Sequence, residues 1–133
     1  MIAIPAWNES GSVAKVVAEV RAAVPNATVI VVDDGSMDNT GALASEAGAT
    51  TITLPFNVGV GGAMRTAFLY AQRQGFDAVV QVDADGQHNP EEIRSLIEGL
   101  SEADIVVGSR FHPGSTYKVR GPRRWAMDLL SWN

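Results

Sequence analysis

The sequence predicts an α/β domain in three layers, a mostly parallel sheet with helices on both faces. Three observations carry this. Short β-branched runs alternate with stretches whose apolar residues recur at helical spacing, the order that builds right-handed crossovers between parallel strands. The run Ala27 to Val32 is continuously apolar, as in a strand covered on both faces. Nearly every polar cluster follows directly on one of these runs. A parallel sheet would therefore gather them along the carboxyl ends of its strands, where open α/β sheets bind ligands.

Taken in order, Ile2 and Ile4 make a short first strand, expected to end at Pro5. Asn8-Glu-Ser-Gly-Ser12 offers several capping side chains for a helix from about Val13 to Val24, whose apolar face is Val13, Val16, Val17, Val20 and Val24. The strand Ala27 to Val32 runs into Asp33-Asp34-Gly35-Ser36, and Asp38-Asn-Thr40 caps a helix that reaches about Ala47. Gly48 closes that helix, and Thr50 to Leu54 form a third strand. The glycine-rich loop Asn57-Val-Gly-Val-Gly-Gly62 leads into a helix through about Gln74, stopped by Gly75. Ala78 to Val82 read as a fourth strand, Pro90 to Leu100 as a fourth helix and Asp104 to Val107 as a fifth strand, left through Gly108-Ser-Arg110.

The composition of the 133 residues, 46% apolar and 19% charged, is that of an ordinary folded domain, and no apolar run approaches the ~18 residues of a membrane helix. Absent cysteines exclude a disulfide framework and a thiolate zinc site. Met1 to Pro5 lack the basic start and apolar middle of a signal peptide, so a cytoplasmic location is expected. A net charge of −5 argues against a general nucleic-acid binder, yet Arg110, Lys118, Arg120, Arg123 and Arg124 are half of the ten basic residues. That end could meet phosphate, or be a solvated loop. Trp125, Met127, Leu129, Leu130 and Trp132 begin an amphipathic stretch ending at Asn133, which reads as a chain cut inside a domain.

The most informative stretch is Val80-Gln-Val-Asp-Ala-Asp-Gly-Gln-His88. In extended backbone Asp83 and Asp85 would point the same way. Two carboxylates about 4 Å apart repel by roughly 4 kcal/mol at an effective dielectric of about 20, so the pair needs a proton, a basic side chain or a cation. Oxygen donors dominate there, which suits Mg²⁺ or Mn²⁺ better than zinc. The alternative is a turn in which Asp85 only caps the next helix. His88 could be a ligand, a donor to a ligand or a solvated turn residue. Asp33 and Asp34 could accept from a nucleobase or a ribose hydroxyl, or cap the helix that follows. The glycine loop could bring backbone amides to a phosphate, although its spacing departs from the dinucleotide pattern. Arg65, one turn beyond, is equally a phosphate ligand or a surface residue.

Together, Ile4-Pro-Ala-Trp-Asn-Glu9, Val31-Val-Asp-Asp-Gly-Ser-Met-Asp-Asn-Thr40, Asn57-Val-Gly-Val-Gly-Gly-Ala63, Val82-Asp-Ala-Asp-Gly-Gln-His88 and Gly108-Ser-Arg-Phe111 resemble glycosyltransferase family 2. Within it they are similar to the dolichyl-phosphate mannose and polyprenyl-phosphate glucose synthases. The resemblance implies a GT-A fold and an inverting transfer of a hexose from a UDP- or GDP-linked donor, with residues 1–133 as the N-terminal nucleotide-sugar-binding part of one GT-A domain. It implies Mg²⁺ or Mn²⁺ as cofactor, and a polyprenyl or dolichyl phosphate acceptor met at the inner face of a membrane. By position, Pro5, Trp7 and Glu9 would line the base pocket and Asp34 would contact base or ribose, with Gly61 and Arg65 also on the donor. Asp83 would hold the ribose and diphosphate region, and Asp85 and Gln87, beside Asp83, would ligate the metal. Arg110, with Arg120, Arg123 and Arg124, would meet donor or acceptor phosphates, so that Asp83, Asp85 and Arg110 form the implied catalytic set. Val60 stands where many family members carry a lysine. Two rivals remain at this level: a non-catalytic sugar-nucleotide binding module, and a nucleotidyltransferase, whose glycine loop would be expected after the first strand.

Overall fold

A computed structural model describes residues 1–87, 89 and 91–108. Four parallel strands, β1 (Ile2–Ala6), β2 (Val29–Asp33), β3 (Thr50–Thr53) and β4 (Val80–Gln81), lie in the order β3-β2-β1-β4. Helices α1 (Val13–Ala23), α2 (Thr40–Glu46), α3 (Val60–Gln74) and α4 (Glu92–Gly99) connect and cover them.

The period-two alternation of each strand sorts the core into two layers. Ile2, Ile4, Ala6, Val29, Val31, Val80 and Val82 face one side, where they pack with Val13, Val16, Val17 and Val20 of α1, Ala44 of α2 and Ile93 of α4. Ala3, Ile30 and Val32 face the other side and meet Ala63, Met64 and Ala67 of α3. Strand β2 is buried along its whole length, as its continuous apolar run requires. The small residues on α3 let that helix lie close to the sheet.

Several boundaries differ from expectation, for local reasons. Pro5 does not end β1, since the strand continues to Ala6 and pairs with β2 to Asp33. Ala3 accepts from the amide of Val82, on the β4 side, whereas Ala6 accepts from the amide of Asp34, on the β2 side. Pro5 shares the side of Ala3, beyond the last β4 partner, so its missing N–H breaks no ladder bond. The fourth strand is shorter than Ala78 to Val82, because β4 pairs with β1 only at Val80 and Gln81. No side-chain cap closes the start of α1: the Ser12 hydroxyl donates to Glu9, and the Val13 amide uses the Glu9 carbonyl.

The expected strand from Asp104 to Val107 is not formed. Ile105 and Val107 are 80% and 81% exposed, while Val106 lies against Gly99 of α4. A β-branched run becomes a strand only where a neighbour offers a ladder, and among the described residues nothing pairs with the outer edge of β4. Helix α3 ends as expected at Gly75, in the left-handed conformation.

Candidate functional site

The order β3-β2-β1-β4 makes the connection from β3 to β4 cross to the far side of β1, with α3 on the opposite face from α1 and α2. Strand order therefore reverses between β1 and β4, and their carboxyl ends part there. In open α/β sheets this reversal forms the ligand crevice. Pro5, Ala6 and Trp7 lie on its β1 side, and Asp83 to Gln87 on its β4 side.

On the β4 side the alternation continues past the ladder. Val82 and Ala84 are buried in the α1 core, whereas Asp83 is half-buried and Asp85 exposed, so both acids lie away from that core. Asp83 accepts from the side-chain amide of Gln81 at 3.1 Å, and Asp85 Oδ1 accepts from the backbone amide of Gln87 at 2.9 Å. The latter bond shapes the turn that Gly86 completes and leaves the Gln87 side chain exposed. Among the described residues no group of three His, Asp or Glu side chains gathers to form a complete metal cage. Two carboxylates with an adjacent side-chain amide are nonetheless the hard-oxygen set that Mg²⁺ or Mn²⁺ accepts alongside waters and substrate phosphates. The donor chemistry fits.

On the β1 side, Trp7 is 54% exposed, a large aromatic face left open beside the crevice. The residue after it, Asn8, has φ +55, a left-handed conformation that asparagine tolerates. That conformation stitches the β1–α1 loop to the β2–α2 loop. The Asn8 amide donates to Ser36 Oγ at 2.9 Å, and its side-chain oxygen accepts from the Met37 amide at 2.9 Å. The Glu9 amide donates to Thr40 Oγ1 at 2.8 Å, and the Ser10 amide to Asp38 at 3.2 Å. Asp38 also accepts from the Thr40 amide and hydroxyl. The Thr40 hydroxyl is the main cause that holds the Asp38 carboxyl down at about 2; desolvation opposes it, and Ser10 and the Thr40 amide each add a lesser lowering. Glu9 itself is half-buried, with its carboxylate accepting from Ser12 at 2.7 Å.

The paired acids Asp33 and Asp34 are both turned inward. Asp33 accepts from the Ser36 amide at 3.0 Å and lies against Gly41, so it closes the β2–α2 turn. Asp34, expected at base or ribose by resemblance, is 3% exposed, with one oxygen accepting from the Val58 amide and the other from the Gly59 amide, each at 2.8 Å. It holds the glycine-rich loop. The loop's glycines differ in what they serve. A Cβ at Gly62 would come within 2.4 Å of Val58, a clash inside the protein, but one at Gly61 would meet nothing within 4 Å. No packing explains glycine at 61, whereas close approach of a ligand to the backbone would. Arg65 is exposed on α3, one turn further on.

The structure thus has Pro5 and Trp7 at the end of β1, Asp83, Asp85 and Gln87 after β4, and Gly61 and Arg65 at the start of α3, whereas the Glu9 carboxylate accepts from Ser12 ahead of α1. His88, Arg110, Arg120, Arg123, Arg124 and the stretch from Trp125 to Trp132 lie outside the described residues. Sequence reasoning missed the stitching by Asn8, Ser36, Asp38 and Thr40. Its one visible signal was an aspartate two residues before a threonine, which reads as an ordinary helix cap.

Residues 1–132 match the model of the family Glycosyl transferase family 2. The chain belongs to this family. It is 39% identical over 134 aligned positions to undecaprenyl-phosphate mannosyltransferase of Micrococcus luteus, covering 97% of this chain and 54% of that protein. It is 36% identical over 125 positions to polyprenol monophosphomannose synthase of Mycolicibacterium smegmatis, covering 89% of this chain and 47% of the relative. The family member described here therefore spans about half the length of these relatives. Among solved structures, glucosyl-3-phosphoglycerate synthase of Mycobacterium tuberculosis, crystallised with Mn²⁺, UDP and glucosyl-3-phosphoglycerate, superposes with a TM-score of 0.60 at 24% identity. That match covers 77% of this chain and 39% of the other, and it agrees with the parallel sheet and flanking helices in placing the fold as GT-A. No helix among the described residues is long and apolar enough to cross a membrane.

Proposed function

We propose that this chain forms the donor-binding part of an inverting glycosyltransferase, residues 1–133 of one GT-A domain, that moves a hexose from a UDP- or GDP-linked donor to a polyprenyl phosphate. The observation that carries the reading is the reversal of strand order between β1 and β4, with the exposed Trp7 following β1 and the acids Asp83 and Asp85 following β4. The names of the two curated relatives, both polyprenyl-phosphate mannose transferases, support the acceptor class.

In this reading Trp7 offers its open face to the nucleobase, with Pro5 and Glu9 shaping the floor and side of the pocket. The amides around Gly61 approach the diphosphate, and Arg65 adds charge near it. Asp83 orients the ribose and diphosphate region. Asp85, Gln87 and Asp83 are the residues that would hold Mg²⁺ or Mn²⁺, which when bound neutralises charge growing on the leaving diphosphate. An acceptor phosphate oxygen attacks the anomeric carbon in line as the bond to the diphosphate oxygen breaks, inverting that centre. Such an oxygen is already anionic at neutral pH, so no strong general base is required of the chain. Arg110, Arg120, Arg123 and Arg124 supply positive charge for the phosphates. A lipid-linked acceptor places the protein at the cytoplasmic face of a membrane, as a peripheral protein.

The test is calorimetric titration of the chain with UDP and GDP, each with Mn²⁺ and with chelator, repeated for Asp85→Ala. Binding of one nucleotide that strengthens at least tenfold with Mn²⁺, and loses that gain in the variant, is the expected result. Affinity that Mn²⁺ leaves unchanged in the parent chain would remove the metal assignment, and no nucleotide binding at all would remove the donor site.

A further inference from the structure

We infer that the outward face of α3, with the loop that leads into it, is a docking surface for an anionic lipid bilayer; the choice of a bilayer rests on the lipid-phosphate acceptor of the reading above. Helix α3 turns Ala63, Met64, Ala67 and Ala71 inward as its buried face. On its other side Arg65, Phe68, Leu69, Gln72 and Arg73, at i, i+3, i+4, i+7 and i+8, are all exposed. Phe68 and Leu69 are 54% and 44% exposed, side by side between the two arginines. The approach to the helix adds Phe56, Val58 and Val60, so five of the ten large apolar residues exposed among the described residues fall on this one segment. Scattered exposed apolar side chains need no explanation, but half of them gathered on one segment do.

The charge pattern selects the partner. The sequence carries a net charge of −5, yet α3 holds Arg65 and Arg73 and no acid, whereas α1 holds Glu19, α2 Glu46 and α4 Glu92 and Glu98. Neither arginine of α3 pairs with an acid among the described residues. Arginine interleaved with phenylalanine and leucine, and no acid between them, is the pattern of a helix that lies in a membrane interface. The arginine stems run along apolar surface and carry their guanidinium groups to the headgroup phosphates, while Phe68 and Leu69 enter the acyl boundary. Asp34 holds the preceding loop by accepting from the Val58 and Gly59 amides at 2.8 Å each, so its apolar side chains are presented with little ordering left to do on binding. Helix α3 starts at the carboxyl edge of the sheet. Seating this face on a bilayer therefore brings that edge, with its exposed Trp7 and the acids after β4, to the headgroup level where a lipid-linked phosphate presents its oxygen.

The experiment is co-sedimentation of the parent chain with vesicles of phosphatidylcholine alone, and of phosphatidylcholine and phosphatidylglycerol in equal parts. No polyprenyl lipid is included, so docking is measured apart from acceptor binding. The variants are Phe68→Ser combined with Leu69→Ser, Arg73→Glu, and Lys15→Glu, which makes the same charge change at an exposed position of α1, across the sheet. Circular dichroism checks the fold of each, and UDP and GDP are titrated in Mn²⁺ alongside. The parent should bind the mixed vesicles at least about tenfold more strongly than the neutral ones, a preference lost near about 1 M salt, where screening acts within about 3 Å. The double variant and Arg73→Glu should each lose about tenfold in vesicle affinity, with Lys15→Glu within about twofold of the parent and nucleotide affinity unchanged in all three. Vesicle binding that the α3 variants leave intact, equal loss for Arg73→Glu and Lys15→Glu, or no binding by the parent overturns the docking surface while leaving the donor site standing. A parent dimer in ultracentrifugation that the double variant makes monomeric, without vesicle binding, assigns the face to a second copy and overturns it equally. A parent that docks through α3 but binds no nucleotide supports the surface and removes the donor reading alone.

Discussion

Gly35 and Gly75 offer a matched pair for separating two costs that usually arrive together. Their backbones are nearly the same, with φ +69 and +74. A Cβ at Gly75 would meet nothing within 4 Å, whereas one at Gly35 would lie 2.6 Å from the carbonyl carbon of Phe56 and 2.8 Å from the Asn57 nitrogen. Alanine in the left-handed region costs about 1–2 kcal/mol, and the reduced freedom of its unfolded chain returns about 0.4–1 kcal/mol. Gly75→Ala should therefore destabilise by about 1 kcal/mol. At Gly35 the clashing atoms are backbone and cannot rotate away, so a forced shift of the kind seen on overpacking adds about 1–3 kcal/mol. Gly35→Ala should lose about 2–4 kcal/mol in all. Urea unfolding of the two variants beside the parent measures this, read from midpoints at unchanged slope. The shift should also move the glycine loop, so Gly35→Ala should weaken nucleotide binding while Gly75→Ala leaves it alone. Destabilisation of the two variants agreeing within about 0.5 kcal/mol, the range of ordinary surface changes, would refute the close approach.

Two further predictions concern the stitched loops. Thr40 is fully buried and its hydroxyl accepts from the Glu9 amide, so Thr40→Val should cost about 1–3 kcal/mol by leaving that donor unpaired, with Thr40→Ser recovering most of it in the same unfolding assay. Asp38 has its folded pKa lowered from 3.8 to about 2, so its stabilisation is fully present above 3.8 and is lost as pH falls through about 2. The difference in melting temperature between the parent and Asp38→Asn should hold steady near neutrality and close across that window. A difference that persists below pH 2, or a carboxyl midpoint by NMR that does not rise toward 3.8 in Thr40→Val, would show that the Thr40 hydroxyl is not the main cause.

Much of the architecture was legible in the order of residues. Helix and strand periodicities are local properties of backbone geometry, so alternating patterns were enough to find the four strands and four helices that form, along with a fifth strand that does not, and to predict a parallel sheet with the polar clusters on one edge. The glycine at the end of α3, and the position of Asp83 and Asp85 away from the α1 core, follow from the same local rules. The family motifs were equally readable, since they are short and fall at strand ends.

What the tertiary structure decided depends on contacts between segments far apart in the chain. Pro5 could sit inside β1 because the strand order put its missing donor beyond the last β4 partner, and no local rule reports that order. Ile105 to Val107 carry a strand pattern but meet no ladder, so pattern did not become structure. Asp33 and Asp34 could each have been a cap or a ligand contact from spacing alone. Only the approach of the Val58 and Gly59 amides, 24 and 25 residues away, turned Asp34 into a buried clasp. A carboxylate's role is set by which donors surround it, and those donors are brought together by the fold.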